Sequence, residues 1–214
     1  VWSQYRAVYH LADAAGPALV DSSGNGRVLA RSSANQPALD ALTGKLAGAQ
    51  EFGRASFASA TSADTLAGDA TLSLWLQRVD NLSTANAAVF VTRSASGAGD
   101  IELRGAPAKN TIGFTIGGVW QSIATNLNPG WNHLVITRSG AAWAAYLNGR
   151  LAQSGAVSAA AVLALQSLGD SRGSASFAGE LDEVRWSAQT RSADWIATEY
   201  ANQNSPASFL NTGA

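Results

Sequence analysis

The stretch TLSLWLQ at residues 71–77 alternates apolar and other side chains with a period of two. In an extended chain the three leucines therefore share one face, and Trp75 shares the opposite face with its polar neighbours. Ile112, Phe114 and Ile116 repeat the pattern, as do Leu134 and Ile136. Each of these segments is predicted to be a strand whose two faces meet different surroundings.

Turn signals separate these strands. Asn148-Gly149 joins two extended runs and tolerates the positive φ angles of a type I′ turn, so it predicts a hairpin. Other turn sequences at 96–99, 128–130 and 171–173 occur at the spacing typical of a β-sandwich. Without a long polar linker, the 214 residues are interpreted as one domain, residues 1–214.

Two segments have helical character. Ser192 can cap a helix with Asp194 in its first turn, and this helix should end before Pro206. The alanine-rich segment 159–165 is compatible with helix, loop or edge strand. The prediction is an all-β, two-sheet antiparallel fold with one short C-terminal helix.

Composition excludes several function classes. Only 14% of residues are charged and the net charge is -1, which argues against nucleic acid as a partner. No run reaches the roughly 18 to 20 apolar residues of a membrane span. Cysteine and methionine are absent, so we expect a segment excised from a longer protein, of a bacterial extracellular, cell-surface or periplasmic type.

Several motifs together resemble one family. They are YHLAD at 9–13, VDSSGNG at 20–26, FGRASF at 52–57, GWNHLVITRS at 130–139, AYLNGRLAQSG at 145–155 and FAGELDEVRWS at 177–187. Their order is similar to that of laminin G-like domains in the concanavalin A-like lectin/glucanase superfamily. The resemblance implies a jelly roll, and the tail at 191–206 resembles lectin-like modules of large bacterial surface proteins. It does not imply one ligand, because the superfamily includes lectins, glycosidases and structural modules.

A glycosidase mechanism is disfavoured. Glu180-Leu181-Asp182 begins the carboxylate pattern of the superfamily's glucanases, but Arg185 and Trp186 occupy the places of the second glutamate. Neither His10 nor His133 lies in a serine-hydrolase pattern, and both are interpreted as packing residues. We expect no enzymatic activity.

The stretch VDSSGNGR at 20–27 suggests a calcium site. Asp21, Ser23 and Asn25 offer side-chain oxygens at alternate positions, and Gly24 and Gly26 let the backbone turn its carbonyls inward. Our predicted ligands are Asp21, Ser23, Asn25, Gly26 and, from the other end of the chain, Asp182. The same loop is also explained without metal by two turns in which Asp21 forms an Asx-turn.

Asp182 is chosen because strand parity breaks beside it. Phe177 and Leu181 are apolar at odd positions, whereas Val184 and Trp186 are apolar at even positions. A β-bulge near Asp182 and Glu183 would return both halves to one buried face. The family resemblance implies calcium binding by the aspartate at this position.

Aromatic residues suggest a second site. Two tryptophans are candidates for stacking against a sugar ring. They are Trp75, on the polar face of its strand, and Trp120, which follows the Gly117-Gly118 break and has Gln121 beside it. Trp143 is compatible with either packing or ligand contact, whereas the resemblance implies core roles for Trp131, Trp186 and Trp195.

Two functions remain open. One is a noncatalytic, calcium-stabilised lectin-like module that binds a carbohydrate or a cell-surface protein. The other is a structural spacer or adhesion module of a large bacterial surface or envelope protein, without a small ligand. In both, other domains of the parent chain are expected partners.

Overall fold

A computed structural model describes residues 4–14, 16–32, 36–53, 55–78, 88–104, 111–124, 127–170 and 178–206. These residues form sixteen strands and one helix. The strands are β1 Tyr5–Tyr9, β2 Ala18–Leu19, β3 Leu29–Arg31, β4 Ala38–Gly44, β5 Ala47–Phe52, β6 Phe57–Leu66, β7 Ala70–Arg78, β8 Ala88–Arg93, β9 Ile101–Arg104, β10 Thr111–Ile116, β11 Val119–Ala124, β12 Asn132–Ser139, β13 Ala142–Leu147, β14 Arg150–Ala156, β15 Leu163–Gly169 and β16 Gly179–Ser187; the helix, α1, is Ala193–Asn204.

The strands form two antiparallel sheets. The first sheet has the order β14-β13-β12-β7-β16-β5-β4, with β1 also paired to β16. The second has the order β11-β10-β9-β8-β15-β6-β3-β2. The predicted all-β sandwich with a short C-terminal helix is therefore confirmed, and its architecture is that of a concanavalin A-like jelly roll.

The core lies between the two sheets. The side chains that the period of two assigned to one face of each strand are buried there. Leu72, Leu74 and Leu76 of β7 are buried, as are Ile112, Phe114 and Ile116 of β10. Trp143 of β13 packs edge-to-face against Phe114, with ring centroids 5.1 Å apart. Trp143 is thus a core residue.

The predicted hairpin is also present. Asn148 and Gly149 have φ angles of 51° and 76° between β13 and β14, as a type I′ turn requires. The segment 159–165 contains no helix: Ala159 and Ala160 lie in a turn, and β15 begins at Leu163. This strand lies between β8 and β6, inside the second sheet.

The bulge in β16 is confirmed. Asp182 pairs with Trp75 and Arg185 pairs with Ser73, so β16 contains one extra residue there, and Glu183 has a φ of 49°. The opposite edge of β16 pairs with β5 up to Leu181 and with β1 from Val184 onward. The bulge therefore marks the point where one neighbouring strand replaces another.

The bulge has the predicted effect on side-chain direction. Leu181, Val184 and Trp186 all lie in the core despite their mixed parity. Phe177 and the turn at 171–173 lie outside the described residues.

No helix in the described ranges is long and apolar enough to cross a membrane.

Candidate functional site

The carboxylate of Asp21 organises the loop predicted to bind calcium. Oδ1 accepts hydrogen bonds from the backbone N–H groups of Val8 at 2.9 Å and Ser23 at 2.8 Å. Oδ2 accepts from the Ser23 hydroxyl at 2.8 Å and from the Arg27 N–H at 3.0 Å. Burial raises the pKa of Asp21, but these hydrogen bonds outweigh it and lower the pKa overall.

The rest of the loop is fastened to β1. The side-chain amide of Asn25 donates to the Tyr5 carbonyl at 2.7 Å, and the Ser23 hydroxyl lies 3.5 Å from the Arg6 carbonyl. Gly24 and Gly26 have φ angles of 88° and 68°, which other residues adopt at a cost. The Ser23 N–H bond to Asp21 is the Asx-turn of the metal-free alternative.

Asp182 lies in a different environment. Its side chain is fully buried, and its oxygens accept from the backbone N–H groups of Leu46 at 3.0 Å and Glu183 at 2.7 Å. Burial raises the pKa of this carboxyl to about 7, although the backbone hydrogen bonds oppose the shift. Asp182 is thus bound to the β4–β5 turn.

Asp21 and Asp182 do not share a hydrogen-bond partner. Within the described ranges, no group of three or more Asp, Glu, His or Cys side chains is placed to hold a metal. Each of the two carboxylates instead accepts hydrogen bonds from its own backbone N–H groups. Calcium binding stays a prediction from the sequence.

Trp75 requires a correction. Trp75 is only 1% exposed, because α1 covers the part of the first sheet's outer face on which it lies; the outer face is the one turned away from the core. The Trp75 indole stacks on Tyr200 at 5.7 Å and donates a hydrogen bond to Gln203, both on α1. Trp75 is therefore a packing residue and does not present a face to a ligand.

A buried polar network under α1 was missed by the sequence analysis. Arg185 bridges Glu183 at 2.5 Å and Glu199 of α1 at 2.6 Å. Glu199 accepts from the Ser73 hydroxyl, which lies 3.1 Å from His133. The nearest signal in the sequence is helical spacing, which places Glu199 on the same face as Ile196 and Tyr200.

The two histidines differ in this network. His133 is fully buried and packs at 4.9 Å from the Trp75 ring, in agreement with its interpretation as a packing residue. His10 is partly exposed, follows β1 and lies 2.8 Å from Glu183. The hydrogen bond to Glu183 raises the pKa of His10, so packing alone does not describe this residue.

The glucanase-like carboxylates are not arranged in a cleft. Glu180 and Asp182 pair with Gln77 and Trp75, so they lie on the outer face of the first sheet, and both are buried. Trp186, at a place that a second catalytic glutamate would need, points into the core. This arrangement lacks the exposed carboxylate pair of a glycosidase.

Trp120 and Gln121 lie on β11 at the edge of the second sheet, and both are partly exposed. They pair with Thr115 and Phe114, so their side chains leave the strand on opposite faces. A Cβ added to Gly113 would stand 2.5 Å from the Trp120 ring, which shows that the indole lies directly on the Gly113 backbone. Ligand contact by this pair stays a prediction.

The structure contains a groove that the sequence analysis did not identify. It measures about 530 Å³ and lies where β12, β13 and β14 meet the start of α1. We call it the β12–β14 groove. Its lining comprises Thr137, Ser139, Ala142, Trp143, Ala144, Tyr146, Ser154, Gly155, Thr190, Arg191, Ser192 and Ala193.

Strand register explains why the groove is open. Thr137 pairs with Ala144, which in turn pairs with Ser154, so these three side chains share the outer face of the first sheet. Alanines on β13 leave the floor unfilled. Tyr146 closes one part of the groove, and the segment before α1 forms another wall.

That wall is anchored by hydrogen bonds. The Thr190 hydroxyl donates to the Arg138 carbonyl, and the Arg191 N–H donates to the Thr71 hydroxyl at 3.0 Å. The Ser192 hydroxyl caps α1 by accepting from Trp195 at 3.2 Å. Hydroxyl groups, one arginine and two aromatic residues thus line a preformed concavity, a combination suited to a polar ligand with apolar patches.

Comparisons with known structures agree with the fold. Domain 4 of AbnA, a GH43 extracellular arabinanase from Geobacillus stearothermophilus, solved in complex with arabinotriose, is 18% identical with a TM-score of 0.58; the match covers 92% of this chain and 98% of that domain. The receptor-binding domain of botulinum neurotoxin C/D mosaic serotype is 13% identical with a TM-score of 0.65, covering 95% and 52%. A botulinum neurotoxin type C structure, described with cell entry that depends on two ganglioside molecules, is 13% identical with a TM-score of 0.62.

The chain spans about half the length of these toxin domains, so the match concerns their fold. No curated protein matches the sequence. The family model described as the concanavalin A-like lectin/glucanases superfamily matches residues 52–197, which is more than half of the chain. The chain therefore belongs to the laminin G-like family of the concanavalin A-like lectin/glucanases superfamily.

Proposed function

We propose that this chain is a noncatalytic lectin-like module that binds an oligosaccharide of a glycan or glycosylated surface protein in the β12–β14 groove. The groove itself is the observation that carries the proposal. Its volume of about 530 Å³ lies in the range of small-ligand sites, roughly 300–1,000 Å³. It opens on the outer face of the first sheet, beside the first residue of α1.

The chemistry of the lining supports a sugar. The side-chain hydroxyls of Ser139 and Ser154 can donate to and accept from sugar hydroxyls, and that of Thr137, which donates to the Ala144 carbonyl at 3.3 Å, can accept. Tyr146 offers an aromatic ring, and the alanines of β13 offer a smooth apolar floor against which the C–H face of a sugar can pack. Similar folds described with arabinotriose and with gangliosides add support at the level of the fold.

The noncatalytic part of the proposal rests on the carboxylates. Glu180 and Asp182 are buried beneath other parts of the chain, and neither lines the groove. A bacterial extracellular, cell-surface or periplasmic location, with further domains in the parent chain, belongs to the same proposal and agrees with the composition.

A glycan array tests the proposal with three variants. Ala144→Phe fills the groove floor and should abolish the signal. Ala152→Phe adds the same ring at an exposed position of β14 outside the lining and should leave the signal unchanged. Trp120→Ala tests the surface predicted from the sequence, and thermal melting of each variant reports its folding.

Two results would contradict the assignment. Binding that is lost in Trp120→Ala but kept in Ala144→Phe would move the site to the edge of the second sheet. An array without any signal for the folded wild-type module, with or without calcium, would favour the structural spacer.

A further inference from the structure

A second concavity lies on the outer face of the first sheet, beside α1. It measures about 330 Å³, and its described lining comes from α1, from Pro206 after it, from Arg185 of β16 and from Leu46 of the β4–β5 turn. We call it the α1 pocket. Among the described residues, none lines both this pocket and the β12–β14 groove, so the two concavities are separate.

Helical spacing places the α1 pocket and the β13–β14 hairpin on opposite sides of α1. Trp195, Thr198 and Asn202 recur at intervals of three and four residues, so they form the side of the helix that lines the pocket. Tyr200 projects to the other side, where its ring lies against Gly149 of the hairpin. A regular helix therefore positions the wall of the pocket.

The sheet side of the pocket is an ion-pair network whose charges are already partnered. Arg185 Nη1 lies 2.6 Å from Glu199 Oε1, and Nη2 lies 2.5 Å from Glu183 Oε2. The second oxygen of Glu199 accepts a hydrogen bond from the Ser73 hydroxyl at 3.2 Å. An ionic ligand would have to displace one of these partners, whereas a neutral ligand leaves them in place.

Neutral hydrogen-bonding groups on the helix side have unused capacity. Thr198 and Asn202 are exposed, and neither side chain makes a hydrogen bond to another described residue. The Gln203 side-chain oxygen accepts from the Trp75 indole, which holds the amide group in place. Its NH₂ nitrogen is neither hydrogen-bonded to a described residue nor fully buried, so it is available to a ligand in the pocket.

Apolar surface completes the pocket. Trp195 is only partly buried, which departs from the core role that the resemblance implies. The Arg191 guanidinium lies 4.7 Å from the Trp195 ring centroid and limits the movement of the indole. Together with Leu46 and Pro206, Trp195 gives the pocket apolar surface against which a sugar ring can pack.

We propose that the α1 pocket is a second sugar-binding site, which takes a neutral monosaccharide or disaccharide unit. Thr198, Asn202 and Gln203 hydrogen-bond the sugar hydroxyls, and the ring packs against Trp195. The volume of about 330 Å³ suits a small ligand, since such sites measure roughly 300–1,000 Å³. This inference goes beyond the proposed function, because it concerns a separate concavity and does not require that the β12–β14 groove binds sugar.

A glycan array followed by isothermal titration calorimetry tests the inference. The array carries neutral arabinose, galactose, glucose and mannose oligosaccharides beside uronic and sialic acid sugars, and the strongest neutral ligand is titrated. Thr198→Trp places a large ring in the pocket from an exposed helix position and should abolish binding there. Ala201→Trp adds the same ring at an exposed position of α1 outside the lining and should change the Kd less than twofold.

Asn202→Ala supplies a second measurement with little risk to folding. The variant loses the hydrogen bonds of one neutral amide to the sugar, so its Kd should be roughly 2-fold to 10-fold higher. The hydrogen bond between Gln203 and Trp75 is unaffected by this change. Thermal melting of all variants should therefore match that of wild type.

Crossing these variants with Ala144→Phe separates the inference from the proposed function. Binding that survives in Ala144→Phe but is lost in Thr198→Trp supports the α1 pocket, even where the groove assignment fails. If Thr198→Trp and Asn202→Ala leave the binding of every saccharide unchanged, or if Ala201→Trp weakens it as much as Thr198→Trp, the inference is overturned. Binding at the pocket that is confined to charged sugars overturns the proposed ligand class, as does a folded wild type that binds no neutral saccharide.

Discussion

The indole nitrogen of Trp75 on β7 donates a hydrogen bond to the side-chain oxygen of Gln203 on α1. This contact joins residues 128 positions apart and fastens the C-terminal helix to the outer face of the first sheet. Lys45 of the β4–β5 turn lies over the same indole, 4.6 Å from its centroid. The Trp75 ring, which we expected from the sequence to contact a ligand, therefore packs against the helix instead.

Gln203→Ala should destabilise the protein by about 1–3 kcal/mol, because it leaves the buried Trp75 N–H without an acceptor. Urea unfolding followed by tryptophan fluorescence measures the change in the free energy of unfolding. Asn202→Ala, at an exposed neighbouring position of α1, is the control and should change it by less than about 0.5 kcal/mol. Equal effects of the two variants would mean that the hydrogen bond contributes nothing.

Gly149→Ala should destabilise more than Gly140→Ala. Both glycines have positive φ angles, of 76° and 57°. A Cβ at Gly149 would also stand 2.9 Å from the Tyr200 ring, whereas a Cβ at Gly140 meets nothing within 4 Å. The expected costs are about 1 kcal/mol for Gly140→Ala, from backbone strain alone, and roughly 2–4 kcal/mol for Gly149→Ala, where overpacking is added.

The difference between the two glycine variants, measured by thermal melting or urea unfolding, isolates the contact between the hairpin and α1. If both variants lose the same amount of stability, the Tyr200 ring moves to accommodate the added methyl group without a loss of free energy. A loss at Gly140 that exceeds the loss at Gly149 would contradict the packing described for the helix.

His133 should make the fold sensitive to acid. Burial, with smaller contributions from Arg185 and Lys45, lowers the pKa of His133 to about 3, whereas its unfolded value is about 6.5. The unfolded chain therefore binds a proton between these values and the folded chain does not. The resulting stabilisation is fully present above about pH 6.5 and is lost as the pH falls toward 3.

Urea unfolding of wild type and His133→Gln between pH 7.5 and 4.5 measures how much His133 contributes to the pH dependence of the free energy of unfolding. Relative to the variant, the wild type should lose stability by up to about 1.4 kcal/mol for each pH unit below about 6. The pairwise difference removes contributions from the carboxylates that both proteins share. Parallel curves would show that His133 becomes protonated in the folded state.

Calcium binding by the predicted ligands Asp21, Ser23, Asn25, Gly26 and Asp182 has a simple thermodynamic test. If the cation binds only the folded chain, EDTA lowers the melting temperature and added calcium restores it. Asp21→Asn should abolish this response. A melting curve unchanged by EDTA and by calcium would support the metal-free Asx-turn, in which the carboxylate of Asp21 already accepts four hydrogen bonds from the chain.

Local patterns predicted much of the fold. The period of two placed the leucines of β7 on the core face, and Asn148-Gly149 predicted the hairpin. Ser192 was identified as the residue that caps α1. The parity break beside Asp182 even predicted a bulge between strands that are distant in sequence. All of these follow from backbone preferences and from which side chains avoid water.

The candidate sites were less predictable. Trp75 stands on a polar face, and periodicity alone does not show whether such a face meets water or a helix. Arg191 lies between Tyr5 and Trp195, which only the closing of β1 and α1 onto the same region brings together. The β12–β14 groove likewise depends on strands and a helix start that are far apart in the chain.

The sequence by itself determined strands such as β7, β10 and β12, the Asn148-Gly149 turn, the helix cap and the bulge, because each depends on the conformational and solvent preferences of neighbouring residues. Tertiary structure alone decided that α1 covers Trp75, that Asp21 and Asp182 bond to separate backbone donors, and that Arg191 packs between Tyr5 and Trp195. These outcomes depend on which groups from distant parts of the sequence lie together in the folded protein. Packing limits the hydrogen-bond partners that each of these groups can reach.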